Sequence, residues 1–308
     1  MKQEILAGAA RRKQSEEPSQ TTSEDLLFDG PKPEVLSLEE WALLISGERP
    51  LASFSKDRLR QSIVKGLPQG VNRGQVWCLL CDYEQDRINH NQELYQKLLD
   101  MENHSQEYLI SKDIYRTLPD TKLFLSDYKQ GGNTLFNVLK AYTCYDNSVG
   151  YVQGMNYLAA ILLIEIQEEI KVFWCLFALL FKRNWRMIYD INTPKLMNLL
   201  SLINDRLSKD DPALLNHLKE QDLSLGAAFS PIFITLFIYQ VPIPIATRIF
   251  ECFILDGEIA LIRVLLRMLY CKRDRILELK ECELLTYLRS GMIVECVQEM
   301  EIEELISY

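Results

Sequence analysis

Apolar residues recur at every third or fourth position along most of this chain, a spacing that predicts helices. It holds over residues 92–101, 134–145, 156–167, 172–181 and 193–207. Over 258–270, Leu261, Val264, Leu265 and Met268 form one face and Arg263 and Arg267 share another. Ser37 is placed to cap a helix over 38–45, with Glu40 as its capping-box partner and Gly47 as the stop. Strand-like alternation is scarce and no fixed-period repeat is present, so the expected fold is all-α rather than a solenoid. Residues 11–34 are rich in Ser, Thr, Gln, Pro and charge, with only Leu26, Leu27 and Phe28 to bury. The expected organisation is a disordered polar leader over 1–34, a helical domain over 35–290, and an acidic, solvated C-terminal helix or tail over 291–308.

One run departs from the amphipathic pattern. Residues 223–247 carry no charged side chain and are long enough to cross a bilayer. The run also contains Pro231, Pro242, Pro244 and several polar residues, so a buried helix over 226–239, ended near Gln240, is the expectation, and not a membrane span.

Composition narrows the chemistry. The net charge of -9 argues against a phosphate-backbone footprint and so against nucleic acid as partner. Eight cysteines sit mostly among apolar neighbours, as in Trp174-Cys175-Leu176, and the N-terminus has no signal-peptide core, which together favour a cytoplasmic setting. Neither a P-loop nor a dinucleotide-binding glycine motif occurs, and His90, His104 and His217 lie far apart. Cys78-Leu79-Leu80-Cys81 has redox spacing but lies in an apolar helical run, where packing is the simpler role. No cofactor or metal of its own is expected.

Three segments carry a signal. Gly66-Leu67-Pro68 makes a turn, and Arg73 and Trp77 beyond it share a helix face on which the guanidinium could stack on the indole. In Ile110-Ser111-Lys112-Asp113-Ile114-Tyr115-Arg116-Thr117, Ser111 can cap a short helix that Pro119 forces to end by about Thr117. Asp113 and Arg116, three apart, can pair, which read alone is a surface salt bridge. In Gly150-Tyr151-Val152-Gln153-Gly154-Met155-Asn156, the flanking glycines allow a sharp turn and close approach to another surface. Gln153 has the donor and acceptor needed to orient a water for attack on phosphorus, or to bond its own backbone.

Together these segments resemble the TBC domain of Rab GTPase-activating proteins. I-x-x-D-x-x-R-T, Y-x-Q-G-M-N and the run Leu135 to Tyr142 occur in the family's order, and the similarity extends over about 58–279. The resemblance implies a V-shaped, two-lobed all-α domain that binds a GTP-loaded Rab in its groove and serves vesicle trafficking. It assigns Arg116 as an arginine finger, Gln153 as a glutamine finger and Asp113 as the residue orienting Arg116. Tyr151, Gly154, Asn156 and Thr117 are expected at the GTPase-binding motif, and Arg73 and Trp77 at a structural one. GTP and Mg would belong to the partner, and membranes would be reached only through it. Ile232-Phe233-Ile234-Thr235-Leu236-Phe237 and Ile249-Phe250-Glu251 depart from the family's usual Trp-Phe-x-Thr-x-Phe and Ile-Trp-Asp. The alternatives are a catalytically idle TBC scaffold, a carboxylate hydrolase and an unrelated helical adaptor.

Overall fold

The computed structural model describes residues 34–82, 92–119, 121 and 128–307, and within them the chain is all-α with no strand. The polar leader expected over 1–34 lies outside the described residues, apart from Glu34.

The chain enters through α1, Leu38–Ser46, with the capping box the sequence predicts. Ser37 accepts from the Glu40 amide, the Glu40 side chain accepts from the Ser37 amide, and Gly47 ends the helix in the left-handed region. Then follow α2 (Lys56–Lys65), α3 (Arg73–Leu80), α4 (Gln92–Leu99), α5 (His104–Ile114) and α6 (Tyr128–Tyr145). Next, α7 is Met155–Ile166 and α8 is Glu169–Phe177. Every residue of α7 from Met155 to Leu163 is buried, as expected of a helix packed on all sides. It touches α3, α5, α6 and α8, and is the axis on which the N-terminal helices assemble.

The C-terminal half comprises α9 (Pro194–Asp210), α10 (Pro212–Glu220), α11 (Leu225–Thr235), α12 (Ile243–Asp256) and α13 (Glu258–Cys271). The short helices α14 (Arg273–Glu278), α15 (Glu281–Thr286), α16 (Met292–Glu299) and α17 (Ile302–Ile306) complete it. No helix among the described residues is long and apolar enough to cross a membrane. The charge-free run is α11, a buried turn and the start of α12. α11 stops at Thr235, short of the expected Tyr239, because Leu236 and Phe237 take positive φ and are themselves fully buried. Burying two large side chains offsets the backbone cost of the turn. Pro231, inside α11, offers no N–H to the Ala227 carbonyl, and Arg289 donates to that carbonyl instead at 2.8 Å.

Two expectations change. Arg73 and Trp77 meet at Glu251 rather than by stacking. Arg73 Nε and Trp77 Nε1 donate to Glu251 Oε1 at 2.6 and 3.3 Å, and the Trp77 ring packs on Phe250. Burial raises the Glu251 carboxyl, opposed by Arg73 and Arg248. The acidic C-terminus is not a solvated helix either. Met292, Ile293 and Cys296 of α16, and Leu305 and Ile306 of α17, are buried, and α17 packs against α2, α12 and α13. The glutamates there decorate the outer face of two docked helices.

Candidate functional site

Arg116 lies on the turn that follows α5. That helix begins at His104, so Ser111 is not its cap; the Ser111 hydroxyl donates to the Glu107 carbonyl one turn back. Leu118, at φ 46°, and Pro119 carry the chain away after Thr117. Arg116 Nε donates to Asp113 Oδ1 at 2.9 Å, and Nη2 reaches the same oxygen. The guanidinium thus keeps its Nη1 edge free of Asp113. The Arg116 side chain is 55% exposed against 7% for Asp113, so a buried carboxylate holds an accessible cation. The hydrogen bond it donates to Asp113 pushes the Arg116 pKa further above its ordinary value, so the charge is permanent.

Gln153 lies on the loop between α6 and α7 and is exposed. It makes no hydrogen bond among the described residues, so the self-bonded turn glutamine is not what the loop contains. Gly154, at φ 117°, stands where a Cβ would fall 2.6 Å from Ile234 Cγ2, and only glycine fits there without displacement. Upstream, Asp146 anchors the loop. Its carboxylate accepts from Arg186 at 2.7 and 2.8 Å and from Ser148, and its carbonyl accepts from the Gly150 amide.

The two turns are tied together. Tyr151 donates its hydroxyl to Asp113 Oδ2 at 2.7 Å, and Asn156 Nδ2 donates to Thr117 Oγ1 at 2.8 Å. Thr117 Oγ1 in turn donates to the Asp113 carbonyl, and Asn156 Oδ1 accepts from the Gly154 amide. Burial and the bond to Asp113 push the Tyr151 hydroxyl far above its usual pKa, so it stays a neutral donor. Tyr151, Gly154, Asn156 and Thr117 are the residues expected at the GTPase-binding motif. They are buried, and their polar groups bond one another and Asp113. Their place is in a brace beneath the two exposed side chains.

Other residues at this site gave no signal in the sequence. Gln106 accepts from the Tyr151 amide, Tyr189 donates to the Ile234 carbonyl at 2.9 Å, and the exposed Tyr239 packs edge-on against Tyr157 at 5.4 Å. Asp146, in Asp146-Asn147-Ser148, is readable as a turn former, but its partner Arg186 is 40 residues away. No cluster able to hold a metal exists among the described residues.

The described residues form an all-α domain that presents an exposed arginine and an exposed glutamine on two linked turns. The Rab-GTPase-TBC domain family matches residues 71–277, and the chain belongs to it. It is similar to growth hormone-regulated TBC protein 1-A of Danio rerio, at 30% identity over 83% of this chain and 72% of that protein. It is also similar to the GTPase-activating protein GYP5 of Saccharomyces cerevisiae, at 28% identity over 82% of this chain but only 27% of that longer protein. Among solved structures, the Chlamydomonas flagellar RabGAP TBC domain aligns with a TM-score of 0.71 at 22% identity, covering 88% of this chain and 90% of that one. The Ypt/Rab-GAP domain of Gyp1p aligns at 0.69 and 20%, covering 82% and 90%. At those identities the two structures speak for the fold alone.

Proposed function

We propose that this chain accelerates GTP hydrolysis on a Rab-type small GTPase by presenting Arg116 and Gln153 to the partner's active site. One observation carries the reading: buried hydrogen bonds from Tyr151 to Asp113 and from Asn156 to Thr117 hold the turns of the two exposed side chains in one register. Charge builds on the transferring phosphoryl oxygens as GTP is cleaved, and a guanidinium held there stabilises it. Asp113 fixes one side of Arg116 and leaves Nη1 to reach outward. Gln153, neutral and with its amide oxygen and NH2 both free, orients the attacking water. The partner supplies GTP, Mg²⁺ and the phosphate loop, and brings the protein to cytoplasmic membrane faces.

The test is single-turnover phosphate release from a panel of GTP-loaded Rabs. An arginine supplied in trans is worth about 10³–10⁵ in rate, so Arg116→Ala removes nearly all stimulation and Arg116→Lys recovers little. A Rab lacking its own water-orienting glutamine stays responsive to the wild-type chain and not to Gln153→Ala. If it is unresponsive to both, Gln153 leaves the catalytic pair. If a GTP-loaded Rab is bound but none is turned over faster, the chain is an idle scaffold.

A further inference from the structure

α5 does more than end in the finger. Gln106 and Asp113 are seven residues apart, two helical turns and about 10.5 Å along one face. Both reach the same residue of the glutamine loop: Asp113 Oδ2 takes the Tyr151 hydroxyl and Gln106 Oε1 takes the Tyr151 amide. Tyr151 is therefore gripped at its backbone and at its ring tip by one rigid helix. Gly150 makes the upper grip possible. It adopts φ 69°, and a Cβ there would lie 2.9 Å from Gln106 Oε1.

We propose that Gln106 is a positioning residue, which sets the height of the Gln153 loop against Arg116 by holding the Tyr151 amide. The proposal rests on the catalytic reading above. Helix length then fixes the spacing of the two exposed side chains, because one helix leads into the turn that carries Arg116 and clamps the Gln153 loop seven residues earlier than Asp113. Gln106 is half-buried and lines a cavity of about 250 Å³ with Asn103, Thr143 and Asn147. That lining includes neither Arg116 nor Gln153, so Gln106 acts on the pair through the loop.

The experiment compares Gln106→Met, which keeps the volume and loses the acceptor, with Gln106→Glu, which keeps an acceptor. Stimulated hydrolysis is measured on a Rab that the wild type activates, and amide hydrogen exchange is followed at Tyr151. Gln106→Met should lower the maximal stimulated rate about tenfold or more, with little change in the Rab concentration for half-stimulation. The Tyr151 amide should lose protection, and Gln106→Glu should restore both. In a Gln153→Ala background Gln106→Met should cost nothing further, because it acts through that loop. A merely structural role would instead show equal losses in both backgrounds, which overturns the proposal, as does unchanged exchange at Tyr151. If the wild type activates no Rab, the catalytic reading fails, and the exchange result alone decides whether the clamp exists.

Discussion

Tyr151→Phe removes one oxygen atom from the centre of the brace. The hydroxyl bonds Asp113 Oδ2 at 2.7 Å between two residues that are 6% and 5% exposed, so no bulk water replaces it. A hydrogen bond to a charged acceptor contributes about 1.5–3 kcal/mol. Asp113 keeps both contacts from Arg116 on its other oxygen, so the carboxylate is loosened rather than abandoned. The stability loss should sit at the lower end of that range, about 1.5 kcal/mol, which in a protein of this size is a fall in Tm of roughly 2–3 °C. The same energy expressed at the finger is about tenfold in rate. Thermal unfolding and single-turnover hydrolysis on one Rab read the two effects separately. A variant that melts lower but stimulates within a factor of two of wild type would show that fixing Asp113 does not position Arg116, and the brace would then be structural only.

Gly154→Ala should destabilise by about 1–3 kcal/mol through its positive φ and push on Ile234, lowering stimulated turnover more than Rab affinity; equal turnover on the folded variant would contradict the close approach. Ending the chain at Met300 removes Leu305 and Ile306 from the core, at an upper bound of about 3–5 kcal/mol, and an unchanged urea midpoint would contradict the docking of α17. Glu251 adds a pH dependence. Burial raises its carboxyl above the ordinary 4.5, so between that value and the raised one the folded state binds more protons than the unfolded. Its contribution to stability therefore falls as pH rises through that window. Glu251→Gln does not titrate, so its stability relative to wild type should improve as pH rises from about 4.5 and then level off; urea midpoints moving the other way would refute the assignment.

The helices were legible because their signals are local. Ser37, Glu40 and Gly47 specify a helix start and stop within a dozen residues, and the all-apolar run of α7 is buried as its pattern demands. Errors arose where a distant partner decided the outcome. Ser111 has the chemistry of a cap, but Ile110 and Ile114 are pinned in the core and extend the helix back to His104. Glu295 to Glu304 look like a solvated helix until Met292, Ile293, Leu305 and Ile306 are counted on the opposite face. Arg73 and Trp77 sit at the right spacing to stack, yet Glu251, 174 residues beyond Trp77, takes both of their N–H groups.

The same limit explains why the motifs could not be divided by role from their letters. Thr117, Tyr151 and Asn156 carry hydroxyl and amide groups suited equally to a partner's surface or to one another. Only burial separates the cases, and it depends on α5 and α7 arriving side by side. Once they do, each buried polar group must find a partner inside, because an unpaired one would cost about 1–3 kcal/mol. The bonds Tyr151 to Asp113 and Asn156 to Thr117 meet that demand, and in doing so fix the turns that carry Arg116 and Gln153. The residues between the two exposed side chains are thus constrained by the interior alone. Exposed neighbours such as Tyr115 and Tyr239, at 72% and 67% exposure, are under no such demand from the interior.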